Sequence, residues 1–339
     1  MSRIRRILVV AAIVAAVGHA AAQTPPRAFP VGVQVTGVAD ADGKTFPVGV
    51  WYPADAASTP PPGTGAGNLG GVQNAPIAGR GLPLVVISHG NGGGMMGHID
   101  LVLALASAGY VVAAPNHPGD NFQDPSASGS ATLYSGRNRQ LRLTVEHLLA
   151  TWKGREAIDA DRVGAFGFSA GGFTVLTAVG AQPDMQLIPK QCATAPEFIC
   201  EVLRHHRSPL VSADAPVGEP MQSSRQIKAA VVAGPGLGFT MTPAAMAGVK
   251  VPVQMWSGEK DVFVPYASNA RVIVDSLERN GRKAEFHSVP NAAHLSFLAP
   301  CGPVRTAEHC KDPEGFDRDA FHAAMNREVL QFFDRHLKR

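Results

Sequence analysis

Short apolar runs alternate along the chain with segments whose apolar residues recur at helical spacing. Residues 82–88 (LPLVVIS) and 110–115 (YVVAAP) are continuous apolar runs, which are typical of strands buried on both faces of a parallel sheet. Residues 97–108 and 137–152 instead repeat apolar positions every three to four residues, as amphipathic helices do. This alternation predicts an α/β fold, in which a mostly parallel central sheet is flanked by helices.

The same two patterns place the remaining elements. Further strands are predicted over 31–38, 46–52, 162–167, 227–233, 251–256 and 284–289, and further helices over 170–179, 268–280 and 318–336. Residues 53–80 are rich in Pro, Gly, Ala and Asn without periodicity, which predicts a long surface loop. Residues 181–226 interrupt the alternation and contain several prolines. We expect them to form an insertion, or cap, over the sheet's active edge.

The N-terminal segment has the three parts of a secretory signal peptide in the right order. Three arginines precede the apolar run 7–17, and small residues then lead to Gln23. The alternatives are a buried N-terminal helix or a membrane anchor. We expect residues 1–22 to be cleaved and residues 23–339 to form one folded α/β domain, exported to the periplasm or secreted. No later segment is apolar enough for a second span, so no stable membrane anchor is expected after cleavage.

The expected export changes how the charge and the cysteine content are interpreted. Residues 1–22 contain three of the 30 Lys and Arg residues and none of the 27 Asp and Glu residues, so the remaining chain is balanced in charge. A balanced chain argues against nucleic acid or an anionic membrane as the main partner. Four cysteines in an exported chain predict two disulfides. Of the three connectivities, sequence proximity favours Cys192–Cys200 and Cys301–Cys310; the alternative is four free buried thiols.

A G-x-S-x-G motif at 167–171 (GFSAG) provides a candidate nucleophile, Ser169. It lies between a predicted strand and a predicted helix, where a tight turn would push the serine side chain clear of the sheet. Glycines flank such a turn because a Cβ would collide with the neighbouring backbone. The alternative is a glycine-rich connection with an incidental serine.

The glycine-rich run 89–94 (HGNGGG) directly follows the apolar run 82–88. Acyl transfer requires two backbone N–H groups directed at the oxyanion that develops on the substrate carbonyl. One is expected from Ala170, the residue after the nucleophile, and the other from Asn91 in this loop. A phosphate-binding loop is the competing interpretation, but the run lacks the G-K-[ST] ending of that motif.

The general base and its acid partner are expected on loops after the last strands. His294, in 291–297 (NAAHLSF), follows the predicted strand 284–289, whereas His287 lies inside it. Asp261 follows the strand 251–256 and is the expected acid, with Glu259 as the second candidate. The resulting order of Ser, Asp and His along the chain is that of α/β-hydrolases.

These motifs together resemble the branch of the α/β-hydrolase superfamily that contains platelet-activating-factor acetylhydrolases and bacterial dienelactone-hydrolase-like proteins. The resemblance runs from about Pro47 to the end of the chain, and it rests on WYPA, HGNGG, GYVVAAPNHPG, GFSAGG, SGEKDVFVP and NAAHLSF. It implies a serine esterase or lipase that acts on small or short-chain acyl esters without a cofactor. Dienelactone hydrolases use a cysteine nucleophile, whereas position 169 is serine, so their substrate is not expected here.

Two alternatives to a small-ester hydrolase stay open. The same triad would serve a serine peptidase or a polyester hydrolase, and the fold without activity would serve as a binding protein. No metal site is expected, because the histidines lack H-x-x-x-H or H-E-x-x-H spacing. The expected partner is a small-molecule ester, and the patterns do not indicate an oligomeric state.

Overall fold

The computed structural model describes residues 28–41, 43–58, 69–212, 214, 220–302 and 308–338. The predicted signal peptide, residues 1–22, lies outside this part of the chain. Within the described residues, no helix combines the length and the apolar composition needed to cross a membrane.

The described residues form a central nine-stranded sheet, in the order β3-β1-β2-β5-β4-β6-β7-β8-β9. The strands are β1 (Val31–Ala39), β2 (Thr45–Pro53), β3 (Val72–Gln73), β4 (Leu82–Ser88), β5 (Val111–Pro115), β6 (Ile158–Phe168), β7 (Ile227–Ala233), β8 (Val253–Gly258) and β9 (Glu285–Val289). β2 pairs antiparallel with both β1 and β5, and the other pairs are parallel. The predicted mostly parallel sheet is therefore confirmed.

Helices cover both faces of this sheet. They are α1 (Ile99–Ser107), α2 (Leu133–Ala150), α3 (Ala170–Ala178), α4 (Leu187–Thr194), α5 (Phe198–His205), α6 (Pro243–Met246), α7 (Ala270–Arg279) and α8 (Arg318–Leu337). Alternate residues of β4 point to opposite faces, so Leu84 belongs to an apolar cluster that includes residues of α2, α3 and α7, while Val85 belongs to one that includes residues of α1 and α8. Each face buries its own apolar cluster, which explains the continuous apolar sequence of the central strands.

The predicted surface loop 53–80 contributes an edge strand. Val72 and Gln73 of β3 pair in parallel with Gly32 and Val33 of β1. The indole Nε1 of Trp51 also donates a hydrogen bond to the carbonyl oxygen of Leu69, at 2.8 Å. A two-residue strand is too short to show alternation, so the apolar pattern did not indicate it.

Between α3 and β7, within the predicted insertion 181–226, the chain forms α4 and α5. The disulfide Cys192–Cys200 joins these two helices, and a second disulfide joins Cys301 to Cys310. Both pairings are those predicted from sequence proximity. Two disulfides indicate that the protein folds in an oxidising compartment.

Candidate active site

Ser169 occupies a sharp turn between β6 and α3. Its backbone φ is 55° and ψ is −119°, a conformation that L-residues rarely adopt and that persists only where the surroundings impose it. A Cβ on Gly167 would lie 2.1 Å from the carbonyl oxygen of Gly171, and a Cβ on Gly171 would lie 1.9 Å from the carbonyl oxygen of Ser88. Glycine is therefore required at both flanking positions, as the motif predicted.

His294 and Asp261 complete a hydrogen-bonded chain with this serine. The Oγ of Ser169 lies 2.9 Å from Nε2 of His294, and Nδ1 of His294 lies 2.7 Å from Oδ2 of Asp261. Because a carboxylate only accepts hydrogen bonds, Nδ1 carries the proton and Nε2 is free to accept the serine hydroxyl. The structure thus brings together the three residues that the sequence singled out.

Loops after β8 and β9 hold the acid and the histidine. The backbone N–H groups of Phe263 and Val264 donate to Oδ1 of Asp261, at 3.0 and 2.8 Å. This leaves Oδ2 for His294, and the Asp261 side chain is fully buried. Glu259, the second candidate, instead accepts a hydrogen bond from the Ser288 hydroxyl at the surface. The geometry therefore places Asp261, and not Glu259, beside the imidazole.

A polar network fixes the loop that carries His294. The Ser296 hydroxyl donates to Oδ1 of Asp312 at 2.6 Å, and Arg318 forms two hydrogen bonds with the same carboxylate. The guanidinium of Arg318 also donates to the carbonyl oxygen of His309, beside the Cys301–Cys310 bridge. Hydrogen bonds from Arg318 and Ser296 lower the pKa of Asp312 even though partial burial opposes them. The carboxylate therefore stays charged and links the disulfide segment to the histidine loop.

Aromatic rings form an apolar wall beside the imidazole. The ring centroids of Phe168 and Phe263 lie 4.7 and 5.7 Å from that of His294. Phe198 of α5 stacks on Phe263, with 4.6 Å between ring centroids, and remains partly exposed. Helix α5 thus contributes an aromatic surface next to the candidate triad.

One predicted oxyanion donor, Ala170, directly follows the serine, and the other, Asn91, lies in the glycine-rich loop after β4. The glycine-rich loop after β4 approaches the turn closely, since a Cβ on Gly90 would lie 3.4 Å from Cβ of Ser169. Among the described residues, no group accepts a hydrogen bond from the backbone N–H of Asn91 or of Ala170. Both donors are therefore available for a substrate oxygen.

A buried polar cluster behind this loop was not indicated by the sequence motifs. It contains the ion pair of Asp120 with Arg137, together with His89 and His117. Burial, together with the nearby charge of Arg137, lowers the pKa of His89 to about 3, and the same causes hold the pKa of His117 well below its ordinary value. The described residues contain no group of three or more His, Cys, Asp or Glu side chains that could hold a metal ion.

Comparison with known proteins identifies the family. Residues 98–338 match the prolyl oligopeptidase family (Peptidase_S9), which is well over half of the chain. The chain belongs to this family. It is therefore a serine hydrolase of the α/β-hydrolase superfamily, as the sequence motifs predicted. No curated protein sequence is significantly similar to it.

Two solved structures share the fold at low sequence identity. A ferulic acid esterase from Streptomyces cinnamoneus is 19% identical with a TM-score of 0.58, and the match covers 91% of each chain. A puromycin-hydrolyzing peptidase from Mycobacterium tuberculosis is 14% identical with a TM-score of 0.54. The latter match covers 90% of this chain but 39% of the peptidase. At these identities the likeness establishes the common fold.

Proposed function

We propose that the protein is a carboxylic-ester hydrolase that acts on small or short-chain acyl esters through an acyl-enzyme on Ser169. The observation that carries this proposal is the continuous chain of hydrogen bonds from Ser169 through His294 to Asp261. Such a chain makes a serine hydroxyl nucleophilic because the proton has an acceptor at the moment of attack.

In the first half of the reaction, Nε2 of His294 takes the Ser169 proton while Oγ attacks the ester carbonyl carbon. The carbonyl oxygen becomes an oxyanion, which the N–H groups of Asn91 and Ala170 stabilise. Asp261 stabilises the imidazolium, which then donates its Nε2 proton to the departing alkoxide. The alcohol leaves and an ester of Ser169 remains.

In the second half, water replaces the alcohol. Nε2 of His294 takes a proton from the water, whose oxygen attacks the acyl carbon of the Ser169 ester. The same two N–H groups stabilise the second oxyanion. Collapse of this intermediate releases the carboxylic acid, and Ser169 recovers its proton from His294. No cofactor enters either half.

Two observations favour an ester with an apolar group. The wall of Phe263 and Phe198 beside His294 offers an apolar surface at the reacting centre, which suits an acyl or aryl group. The ferulic acid esterase, moreover, matches this chain over nearly the full length of both.

A serine peptidase is the second candidate, and the family match favours it. The same histidine would protonate an amine leaving group instead of an alkoxide. An amide carbonyl is less reactive than an ester carbonyl, so hydrolysis of anilides separates the two activities.

The deciding experiment compares nitrophenyl esters of increasing acyl length with peptide nitroanilides, including prolyl ones. We expect kcat/KM to be highest on short acyl esters and to fall to background in Ser169→Ala. Efficient cleavage of the anilides would instead support the peptidase. A fluorophosphonate probe should label the parent and leave Ser169→Ala unlabelled; an unlabelled parent would contradict an activated serine and favour a binding protein.

Export from the cytoplasm is part of this proposal. The order of charged, apolar and small residues over 1–22 supports it, as do the two disulfides. The intact mass of the protein recovered from the periplasm or the medium should correspond to a chain that begins at Gln23. A mass that retains residues 1–22 would contradict cleavage.

A further inference from the structure

The ion pair of Asp120 with Arg137 lies in the interior, next to the candidate triad but outside it. Nη1 of Arg137 lies 2.5 Å from Oδ2 of Asp120, and each side chain is 1% exposed. Taking two charges out of water carries a desolvation penalty that their attraction often fails to offset. A buried ion pair is therefore weak evidence that Asp120 and Arg137 serve only to stabilise the fold. The other hydrogen bonds of these two side chains indicate which parts of the chain they position.

The carboxylate of Asp120 holds the glycine-rich loop. Its Oδ1 accepts two hydrogen bonds, from the backbone N–H of Gly92 at 2.8 Å and from Nδ2 of Asn91 at 2.6 Å. Asn91 is the residue whose own backbone N–H is the first proposed oxyanion donor. Its side chain is thus held by a charge while its N–H stays available for the substrate.

The guanidinium of Arg137 reaches the same loop and the helix after the nucleophile. Nη2 donates to the carbonyl oxygen of His89, and Nε donates to Oγ1 of Thr174 at 3.2 Å. The Thr174 hydroxyl in turn donates to the carbonyl oxygen of Ala170 at 2.9 Å. Ala170 carries the second proposed oxyanion donor.

These contacts form one unbroken path: Asn91, Asp120, Arg137, Thr174, Ala170. It begins and ends at the two residues whose N–H groups would hold the oxyanion. The sheet order explains how they meet, because β5, β4 and β6 are neighbours. Asp120 follows β5, the glycine-rich loop follows β4, and the serine turn follows β6.

We propose that Asp120 and Arg137 are positioning residues that set the distance and direction between the two oxyanion donors. This inference rests on the proposed ester hydrolysis at Ser169. Oxyanion donors act only when they are held in place before the reaction, and a displacement of about half an ångström weakens them. An arginine and an aspartate are suited to holding the two donors in place. The guanidinium presents several hydrogen-bond donors in a fixed planar geometry, and the carboxylate accepts hydrogen bonds on both of its oxygens.

Asp120→Asn and Arg137→Lys test the proposal with little change in volume. The amide of asparagine would direct an NH₂ group at one of the donors that Asp120 now accepts from, and lysine lacks the planar fork. The matched control is Arg139→Lys, two residues further along α2, where a half-exposed arginine pairs with Asp40. Each protein is assayed on a nitrophenyl ester well below its melting temperature.

We expect kcat to fall at least about tenfold in Asp120→Asn and Arg137→Lys, because loss of one oxyanion donor costs roughly a hundredfold or more. KM should stay within about twofold, since the donors act on the transition state. The Ki of a boronic acid, whose tetrahedral adduct on Ser169 places an oxygen between the donors, should rise in parallel. Arg139→Lys should change none of these quantities. Variants that melt earlier but keep the parent kcat and boronate affinity would overturn the proposal.

Thr174 provides a second test that leaves both buried charges in place. Thr174→Val keeps the shape but removes the hydroxyl between Arg137 and Ala170, so kcat should fall with KM unchanged. Thr174→Ser restores the hydroxyl and should recover kcat relative to the valine variant. Equal kcat in the two variants would contradict the path, and this comparison decides the matter if Asp120→Asn or Arg137→Lys fails to fold.

Ser169→Ala, assayed alongside, separates this inference from the proposed function. If the parent hydrolyses the ester and Ser169→Ala does not, unchanged kcat in the positioning variants overturns the positioning role alone. If Ser169→Ala retains the parent's activity, the proposed function fails and the positioning role fails with it.

Discussion

Lowering the pH should destabilise this protein even above the range in which carboxylates titrate. Protonation of His89 is one cause that the structure identifies. The His89 side chain is 2% exposed and uses both ring nitrogens. Nδ1 lies 2.7 Å from the carbonyl oxygen of Gly90, and Nε2 accepts the backbone N–H of His117 at 3.1 Å. A proton on Nε2 would break the second bond and place a buried cation near Arg137.

The size of this destabilisation follows from the difference in the pKa of His89 between the folded and unfolded states. Burial and then the charge of Arg137 lower the pKa of His89 from 6.5 to about 3 in the folded protein. Between these values the unfolded chain binds one more proton than the folded protein, so the free energy of unfolding decreases as the pH falls. The slope is about 1.4 kcal/mol per pH unit, and His89 alone should remove about 2 kcal/mol between pH 7 and pH 5.

Urea denaturation of the parent and of His89→Asn at pH 7, 6 and 5 measures this quantity. Asparagine can keep the hydrogen bond to Gly90 but does not titrate, so the parent should lose about 2 kcal/mol more than the variant over this range. All other titrating groups are common to both proteins, so their contributions largely cancel in the comparison. Carboxyl groups with lowered pKa, such as that of Asp312, cease to contribute to the free energy of unfolding only as the pH falls towards and below about 4.

The control is His206→Asn, at an exposed position directly after α5: it removes one histidine and leaves His89 in place, so the loss due to His89 should persist. His117→Asn should change the pH dependence in the same direction as His89→Asn, because the pKa of His117 is also held low by burial. Equal losses in the parent and in His89→Asn would show that the interior accepts a charged His89, and would refute the reasoning.

Three further predictions concern the candidate triad and its loop. Asp261→Asn should lower kcat by about 10⁴, because the amide favours the wrong imidazole tautomer, whereas Glu259→Gln should change kcat little; the reverse ranking would make Glu259 the acid. His294→Ala should lower kcat by several decades, and combining it with the alanine variant of the nucleophile should cost little more, whereas additive losses would contradict a joint role. Replacing Cys301 and Cys310 by serine should lower the free energy of unfolding by roughly 2–3 kcal/mol in urea denaturation. A lower kcat at equal folded fraction would show that this bridge also steadies the histidine loop, and an unchanged kcat would restrict it to stability.

The sequence by itself was enough to predict the layered fold and to single out three residues that the structure brings together. Ser169 could be found because its conformation is a local property: a strand, a tight turn with obligatory glycines, and a helix, all within a few residues. Asp261 and His294 could be found because they follow strands whose burial is visible as apolar runs. In a parallel sheet the carboxyl ends of the strands share one edge, so side chains after different strands converge there.

Only the tertiary structure decided which buried polar groups are partners. The sequence does contain one indication that Arg137 is buried. This residue falls at helical spacing with Leu141, Val145 and Leu148, on the apolar side of α2. Such a position predicts that the side chain is buried, but it does not indicate which residue pairs with it. Its partner Asp120 lies 17 residues away in sequence, and Thr174 lies 37 away.

These residues meet because β5, β4 and β6 are adjacent in the sheet, an order that differs from their order along the chain. Apolar periodicity records whether a residue is buried and on which face, since it depends on the repeat of the local backbone. It does not record which strand lies next to which, because that depends on how whole strands and helices pack. For that reason the triad could be anticipated from local patterns, while the charged path behind the oxyanion loop became visible only in three dimensions.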